Sequence, residues 1–481
     1  MRRKLMRKGL TNGPRSSAGS RATMLGRWIA AVLAIAPSIG FSQTLPAARV
    51  ADVDQEPLFT GLVTRPLARL RALGLTVYGT VDIGVADLTH GAPLSSTFNP
   101  GLPYLLQKFS NRPLVSVAPS GLSPSKFGLL GEHDIGAGVS LMFRLETGFN
   151  PQSLRLSDGP KSLIGQNGRT LDMQRTSGDT SRAGQDFQGA AYIGVSSRPA
   201  GTLTYGRQSD LLLDNVARYD PQPLSQAFSP LGYSGVAGGG GDTEDARLDK
   251  MLKYSLTRGP ARASIMHQFG SRHEGFGADG VDLGLDYANV AVDLTYTKKW
   301  DGLAVASLTE AQAAAHSNTL AATVSDNDTL SLQGAYAWRK LKILSGIEQI
   351  SYADPRTPLQ SGLETIGGYP LGLLNNTAFP RRKILDISWV GARYAWTSKV
   401  MLSAAYYRYD QHSYGLTSCS NASSGTCKGD MQATSIVVDD QVTRPFDVYL
   451  GAMSSRVEDG MRFGFLKSAN VTTMGGVRFV F

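Results

Sequence analysis

The chain has 481 residues, of which 42 % are hydrophobic, and its mean hydropathy is −0.14. The formal charge is +9, but residues 1–42 hold eight Lys or Arg and no Asp or Glu, which leaves 40 basic against 39 acidic side chains in the rest. The basic excess therefore belongs to the N-terminal segment and argues against a nucleic-acid-binding surface. The length allows either several soluble domains or one large barrel.

Residues 1–42 have the pattern of a secretory signal peptide. A basic region extends to Arg27, the apolar run WIAAVLAIAPSIG follows, and small Gly40 and Ser42 suit cleavage after Ser42. The long basic region leaves Met24 as a possible translation start. The alternative is an N-terminal membrane anchor, but the apolar run is shorter than the ~20 residues of a spanning helix. We therefore expect an exported protein.

From residue 75 onward, apolar residues alternate with polar or small residues, with the period of two that is typical of a β-strand. In VDLGLDYANVAVDLTYTKKW (281–300), Leu283, Leu285 and Tyr287 share one face, and aspartates and glycine share the other. Seven tight hairpin turns are predicted, at Gly136–Gly138, 198–200, 258–260, 289–290, 339–340, 397–399 and 443–445. With a first strand at 75–87 and a last strand at 470–481, the total is about sixteen strands, an even number.

The connections between these hairpins are long and polar. They are expected at roughly 88–124, 150–187, 209–246, 270–279, 300–327, 352–383, 411–430 and 458–469. Short turns at one end and long loops at the other are typical of a bacterial outer-membrane barrel. A sheet in hydrocarbon must close on itself, because no water satisfies its backbone groups there. We therefore expect Val477, Phe479 and Phe481 to face lipid, on a last strand that closes the barrel beside the first.

The two cysteines, Cys419 and Cys427, lie in the polar stretch SCSNASSGTC. In an oxidising compartment we expect them to form a disulfide within a loop. A metal site is disfavoured because His412 is the only histidine close by in sequence. No cofactor is expected.

Several motifs, in chain order, resemble the Gram-negative trimeric general porins of beta-proteobacterial type. LTVYGTVDIGV resembles that family's first strand, and SKFGLLGEHDIGAGVSLMFRLETGFN resembles its second hairpin. AYIGVSS with GTLTYGRQSD resembles the third hairpin, and FDVYLGAMSSRV with TTMGGVRFVF resembles the C-terminal pair. The resemblance covers 75–481 and implies an all-β, sixteen-stranded antiparallel transmembrane barrel with an inward-folded third loop. It also implies a homotrimer that passes ions and small hydrophilic solutes.

Residues 43–74 precede the part that resembles the family. PLFTGLVTRPLARLRALG, within this segment, suits a short amphipathic helix or a disordered periplasmic arm, and we favour the arm. The domain organisation predicted here is a signal peptide (1–42), an N-terminal extension of unknown role (43–74) and a barrel (75–481).

The resemblance and the facing of alternate residues together predict the charges at the pore constriction. Lys126, Arg144 and Arg247 map onto the family's basic wall. Strand alternation points Lys126 and Arg144 into the lumen, and Arg247 as well if its strand extends that far. The resemblance places a constriction acid at Asp220 and a loop-anchoring acid at Asp214. Alternation in the first strand adds Asp82. The family usually has Arg where this chain has Leu130 and Gly189, so the expected anion preference is weak.

Three further expectations concern assembly. Arg207, in YGRQ, shares a face with Leu203 and Tyr205, so it points outward. The resemblance suggests that Arg207 contacts a neighbouring subunit, and snorkelling to the membrane interface is the alternative. The terminal Phe481 is expected to be an assembly signal read by the outer-membrane insertion machinery. Lipid and lipopolysaccharide are the other expected partners; nucleic acid is not.

An enzyme is disfavoured by the pattern of candidate catalytic residues. The six histidines are scattered, and GYSG at 232–235 is one residue short of a nucleophile elbow. Ser123 and Lys126 form an S-x-x-K match, but Pro124 and the start of a strand argue against the helix that this motif requires.

Other kinds of channel or receptor remain as alternatives. A substrate-specific channel would carry an aromatic path along its lumen, and alternation assigns only four lumen aromatics: Tyr78, Tyr192, Trp389 and Tyr449. A receptor that binds a partner through its loops is the other alternative. We favour a general diffusion channel.

Overall fold

The structure is a computed structural model, and it describes residues 74–97, 104–176, 185–232, 247–270, 277–316, 318–416, 419 and 424–481. The predicted signal peptide (1–42) lies outside these residues, as does the extension (43–74) except for its last residue. Nearly everything described belongs to one β-sheet, and four long connections pack against its inner face or its mouth.

Nineteen strands are present in the described residues. The first ten are β1 (Leu75–Gly91), β2 (Arg112–Pro119), β3 (Lys126–Gly136), β4 (Val139–Gly148), β5 (Ala190–Ser197), β6 (Gly201–Ser209), β7 (Arg247–Arg258), β8 (Ala261–Gln268), β9 (Gly277–Tyr287) and β10 (Val290–Ala306). The remaining nine are β11 (Leu320–Trp338), β12 (Leu341–Ala353), β13 (Thr365–Ile366), β14 (Tyr369–Asn375), β15 (Lys383–Ala395), β16 (Val400–Gln411), β17 (Gly429–Thr443), β18 (Phe446–Asp459) and β19 (Ala469–Val480).

Sixteen of the strand positions form a closed antiparallel barrel. The strands β2 and β3 together make one wall strand, since β3 pairs with the first half of β1 and β2 with the second half. The short β13 and β14 belong to the connection between β12 and β15, and β12 pairs directly with β15. The last strand pairs with the first over nine residues, from Thr80–Val480 to Leu88–Thr472. This closure confirms the predicted sixteen-stranded barrel.

The predicted hairpin turns are confirmed, one of them with a shift of a single residue. In the β9–β10 hairpin Tyr287 pairs with Val290, so the turn consists of Ala288 and Asn289 rather than 289–290. At the first hairpin, Gly136 and Gly138 adopt φ angles of 94° and 72°, which favour glycine. The connection expected at 300–327 is shorter, because β10 and β11 continue to pair beyond a register shift at Lys299, up to Ala306.

The two faces of the sheet differ as expected for a barrel in lipid. Large apolar side chains stand exposed on the outer face, including Ile436 (61 %) and Leu450 (60 %) on neighbouring strands. Val477 and Phe479 of β19 belong to the same exposed outer set. Hydrocarbon would cover this surface, since no water-facing protein needs so many apolar side chains outside.

Three α-helices lie in the long connections: α1 (Gly159–Ile164), α2 (Leu211–Tyr219) and α3 (Glu310–Ala315). Three 3-10 turns accompany them, at Leu171–Met173, Pro230–Gly232 and Gly460–Arg462. We call the connections loop 1 (92–111), loop 2 (149–189), loop 3 (210–246) and loop 6 (354–382). No helix among the described residues has the length and hydropathy to cross a membrane.

Much of the inner face is apolar and is covered by loops. Residues of β12 and β15–β19 form the largest buried apolar cluster, together with loop 1 residues and with Val216, Phe228 and Leu231 of loop 3. Loop 3 therefore folds into the barrel, as predicted, and packs against its inner wall. The packing stabilises the inward position, because these apolar side chains leave water.

Candidate pore lining and constriction

Loop 3 begins at a buried ion pair. Asp210 caps α2 by accepting a hydrogen bond from the Leu213 amide at 2.7 Å. Its second oxygen accepts from the Lys299 ammonium of β10 at 2.8 Å, and both side chains are almost fully buried. Burial raises the pKa of Asp210, and the charge of Lys299 offsets part of that rise. Asp210, rather than Asp214 alone, thus anchors the start of loop 3.

The helix α2 then follows the inner wall over β9 and β10. The Asn215 amide donates to Asp282 and to the Thr295 hydroxyl, each at 2.7 Å. At the end of the helix the Tyr219 hydroxyl donates to Asp293 at 2.5 Å. Burial raises the pKa of Tyr219, and the negative charge of Asp293 raises it further. These bonds fix one face of α2 and leave the other face toward the lumen.

Asp220 follows α2 and is buried against the wall. Its carboxylate accepts from the amides of Gln222 and Leu224 and from the Tyr407 hydroxyl, at 2.8–2.9 Å. Arg393 of β15 donates to the backbone carbonyls of Asp220 and of the next residue. Because the Asp220 side chain is fully buried, it does not lie on the open lumen surface. Its contacts instead hold loop 3 against the barrel wall. Its prediction as a constriction acid does not match this position.

Asp82 has a similar structural contact. Its carboxylate accepts hydrogen bonds from the amides of Gly121, Leu122 and Ser123 and from the Tyr449 hydroxyl, at 2.7–3.1 Å. It holds the inward segment 120–125 that separates β2 from β3. Since Asp82 is fully buried, it does not line the open lumen in this structure.

The stretch of loop 3 after Asp220 meets this same segment. The Ala227 amide and the Ser225 hydroxyl both donate to the Gly121 carbonyl, at 2.9 Å and 2.8 Å. Phe228 packs edge-on against Tyr449, with ring centroids 6.3 Å apart. The described part of loop 3 therefore runs along the inner wall from β6 past β10, β15 and β18 to a position beside the segment 120–125.

The wall formed by β3 and β4 carries two of the predicted basic residues, Lys126 and Arg144. The Arg144 guanidinium donates to Glu146 at 2.9 Å and to the Tyr78 hydroxyl at 2.8 Å. The Lys126 ammonium lies 3.3 Å from the same Glu146 oxygen. The Lys126 and Arg144 side chains remain 23 % and 21 % exposed, so water still reaches both cations. The structure thus brings two of the three predicted basic residues together on one carboxylate.

Arg247 lies near this group, although alternation alone would misplace it. Lys250 adopts a φ of 53°, and the β6–β7 pairing shifts register between Gly206 and Gln208. As a result Leu248 joins Met251 in a buried cluster, and Arg247, which simple alternation from Lys253 would put on the inner face, takes the other side of its strand. Arg247 nonetheless interacts electrostatically with Glu146.

Asp214 lies on the lumen side of α2. Its carboxylate accepts from the Lys253 ammonium at 2.7 Å and from the Ser209 hydroxyl at 2.5 Å. The Asp214 side chain is 43 % exposed, more than any other acid of loop 3 that is described here. It therefore both ties α2 to β7 and presents a charge to the lumen.

Arg207 faces outward, but it is neutralised within its own chain. Its guanidinium donates to Asp249 at 2.7 Å and to the Gln188 carbonyl at 2.6 Å, and the side chain is 4 % exposed. The pairing removes the cost of an isolated charge on the outer face. Its predicted contact with a neighbouring subunit stays a prediction.

The C-terminal residue and the cysteines are both held by defined contacts. Phe481 exchanges two backbone hydrogen bonds with Gly79, each at 2.9 Å, and so extends the β1–β19 closure by one residue.

Cys419 and Cys427 form a disulfide with their Cα atoms 5.4 Å apart. No group of three or more metal-ligating residues occurs in the described part of the chain.

Sequence reasoning missed a second charged group in the lumen. Arg262 forms ion pairs with Asp286 and Asp293, each at 2.9 Å, and Arg218 of α2 shares Asp286 at 2.5 Å. Lys342 lies within electrostatic range of this group. Alternation of β9 and β10 could have placed both aspartates on the inner face. No pattern in the sequence near Arg218 indicated that α2 would place this arginine beside Asp286.

The inner face also has more aromatic residues than expected. Tyr352, Tyr407 and Tyr409 join Tyr78, Trp389 and Tyr449 there, and all six are buried. The loops cover most of these rings, so they form packing contacts rather than an open aromatic path.

A closed barrel of sixteen antiparallel strands, apolar outside and with a loop bonded along its lumen, is the architecture of a bacterial outer-membrane β-barrel. More particularly, the chain belongs to the Gram-negative porin family, whose sequence model matches residues 30–460. Its location is the outer membrane. The family expected from the sequence motifs is thereby confirmed.

Individual relatives are distant. An outer membrane porin protein of Bordetella pertussis is 24 % identical over 184 residues, which cover 37 % of this chain and 38 % of the relative. An anion-selective porin from Comamonas acidovorans has a similar fold, with a TM-score of 0.56, 14 % identity, and 85 % of this chain and 99 % of that chain covered. The trimer form of the Vibrio cholerae outer membrane protein OmpT has a TM-score of 0.51 and 13 % identity, with coverage of 85 % and 99 %.

Proposed function

We propose that this protein is a passive diffusion channel for ions and small hydrophilic solutes in the outer membrane. The observation that carries the proposal is the path of loop 3, which is bonded along one inner wall and faces a second wall of water-exposed charges. A loop held in this way narrows a barrel without plugging it by a separate domain. The proposal involves transport alone and includes no catalytic step.

We propose a weak anion preference. On the wall of β3 and β4, Lys126 and Arg144 share the single carboxylate of Glu146. Deeper along α2, Arg218 and Arg262 share Asp286, with Lys342 close by. Each group thus has more cations than solvent-accessible carboxylates, and a pore lined in this way favours anions. The preference is weak because every one of these groups still contains an acid.

We also propose that three copies assemble into a trimer surrounded by lipid and lipopolysaccharide. The family and the solved trimer of the Vibrio cholerae protein support this proposal. The exposed apolar outer face requires a covering of lipid or of neighbouring subunits in any case.

Planar-bilayer recording of the mature protein, refolded in detergent, tests both proposals. We expect conductance to rise in groups of three equal steps. Under a salt gradient, the reversal potential should lie on the anion side of zero.

Two results would count against these proposals. Folded barrels without any conductance would exclude an open channel. A reversal potential on the cation side would show that Asp214 and the other lumen acids outweigh the basic groups.

A further inference from the structure

Residues of loops 1 and 2, with Tyr369 of loop 6, line an open cavity at the end of the barrel where the long loops lie. Loop 2 leaves β4 and reaches the β10–β11 connection, where the Leu308 amide donates to the Asn167 side chain at 2.8 Å. Leu163 of α1 is buried in the same cluster as Leu371 of loop 6. The cavity between these loops measures about 460 Å³, a volume within the range of small-ligand sites.

The wall of this cavity is fixed by buried polar contacts. The Gln166 side chain is 3 % exposed; it accepts from the Arg175 amide and donates to the Arg175 carbonyl, both at 3.0 Å. The Thr97 and Ser162 hydroxyls, also buried, lie 2.7 Å apart, and the Ser95 amide donates to Thr176 at 3.0 Å. These contacts join loop 1 to loop 2 and tie the backbone of Arg175 to the Gln166 side chain.

Three cations line the cavity: Lys161, Arg169 and Arg175. Neither arginine forms an ion pair with any residue that the structure describes. Both arginines also line an adjoining cavity of about 150 Å³, where Arg112 adds a fourth cation and Asp172 an acid. Asp158, which caps α1, is the other nearby carboxylate and accepts from the Lys161 amide. Cations outnumber acids four to two across the two cavities.

We propose that this cavity binds a phosphate-bearing group at the outer mouth of the barrel. Guanidinium groups recognise phosphate oxygens through paired hydrogen bonds, and Lys161 adds a point charge. Ser95, Thr97, Ser162 and Tyr369 supply hydroxyls to the same cavity. Two sources fit this chemistry, namely a free phosphorylated solute and the phosphate of a neighbouring lipopolysaccharide. Binding here goes beyond conduction and does not depend on the pore proposal.

Titration calorimetry of the full-length mature protein in detergent at low ionic strength tests this site, with inorganic pyrophosphate as the probe. We expect saturable binding that weakens at least tenfold in the triple variant Lys161→Gln, Arg169→Gln, Arg175→Gln. The control is Arg155→Gln, an exposed arginine of loop 2 outside the cavity, which should bind as the original protein does. Normal bilayer conductance of both variants would show that the barrel is intact.

A second arm distinguishes the two sources. Purified lipopolysaccharide and its dephosphorylated form are each incubated with the protein, and the lipid retained on gel filtration is measured. If the original protein retains only phosphorylated lipopolysaccharide and the triple variant retains neither form, the site is supported and lipid is its phosphate source. This holds even if pyrophosphate does not bind. Equal binding of both probes by the triple variant and the original protein would overturn the proposal. Absence of binding in both arms would overturn it as well, and would leave the conductance result untouched.

Discussion

Glu146 shows how one carboxylate sets the charge of the lumen wall. It accepts from Arg144 and lies 3.3 Å from Lys126, with Arg247 in electrostatic range. Gly189 lies so close that a Cβ there would stand 2.7 Å from a Glu146 oxygen. A side chain at position 189 would therefore displace Glu146, and it is Arg144 that supplies a cation to this carboxylate, at 2.9 Å.

The first prediction concerns ion selectivity. The double variant Lys126→Gln, Arg247→Gln removes two cations and leaves Glu146 paired with Arg144 alone. We expect the reversal potential under a salt gradient to move toward cations, because lumen charge sets ion preference. The control is Arg155→Gln, whose side chain lies in loop 2. An unchanged reversal potential in the double variant would exclude these two residues as selectivity determinants.

The second prediction concerns the buried ion pair at the start of loop 3. Lys299 pairs with Asp210 and also interacts with Glu348, whose carboxylate oxygens have no hydrogen-bond partner among the described residues. Lys299→Met would leave two buried carboxylates without this cation, whereas Asp210→Asn would leave Lys299 with Glu348. Removing one partner of a buried pair costs about 3–5 kcal/mol. We expect Lys299→Met to destabilise the inward loop more than Asp210→Asn does.

Open-channel current noise and the heating temperature at which the barrel unfolds on a gel measure this difference. Lys299→Met should be noisier and less heat-stable than Asp210→Asn. The triple variant Lys299→Met, Asp210→Asn, Glu348→Gln serves as the control, since it removes all three buried charges together and should recover part of the loss. Equal behaviour of the two single variants would show that Glu348 plays no part in this anchor.

At the scale of elements, the segment 120–125 couples the first strands of the barrel to loop 3. On one side, the Asp82 carboxylate accepts hydrogen bonds from the backbone amides of this segment. On the other side, the Gly121 carbonyl of the segment accepts two hydrogen bonds from loop 3. The same few residues therefore interrupt the β2–β3 wall strand and hold the stretch of loop 3 after Asp220. A substitution of Asp82 on β1 should consequently alter the position of loop 3 in the lumen.

The third prediction tests this coupling. Asp82→Ala leaves three backbone amides and the Tyr449 hydroxyl without their acceptor, and each unsatisfied buried group costs about 1–3 kcal/mol. We expect lower heat stability together with larger fluctuations of the open-channel current. Ser225→Ala, which removes a single hydrogen bond to Gly121, should produce a much smaller change. Lower stability with an unchanged current would separate Asp82 from loop 3.

Local sequence predicted the strands well and the inward loop poorly. Period-two alternation found the hairpins because each strand has one lipid-facing side. It failed at Arg247, because the positive φ of Lys250 belongs to a residue type that gives no sign of a bulge. The resemblance, not alternation, predicted Asp220 at the constriction, and its buried position depends on Tyr407, 187 residues away in sequence. Lys299, by contrast, could have been found, since alternation through Thr295 and Thr297 puts it inside.

At the scale of the whole molecule, barrel closure depends on a terminal residue. The β1–β19 pairing carries the only joint between the two ends of the described barrel, and Phe481 adds its last two hydrogen bonds with Gly79. The Phe481 ring also lies over Gly79, where it would stand 2.5 Å from an added Cβ. If the insertion machinery recognises Phe481, as the sequence predicts, then closure and recognition would involve the same residue, and mutation can separate the two.

The fourth prediction makes that separation. Deleting Phe481 removes both the ring and the two backbone hydrogen bonds, whereas Phe481→Ala removes the ring alone. If the ring is the assembly signal, both variants should give little folded barrel in the outer membrane of cells. In detergent, where no insertion machinery is present, Phe481→Ala should refold nearly as well as the original protein, and the deletion should refold less well. The measurement is the fraction of protein that migrates as folded barrel on unheated gels. Val480→Ala serves as the matched control. Normal amounts of Phe481→Ala barrel in cells would show that closure, not recognition of the ring, is what Phe481 contributes.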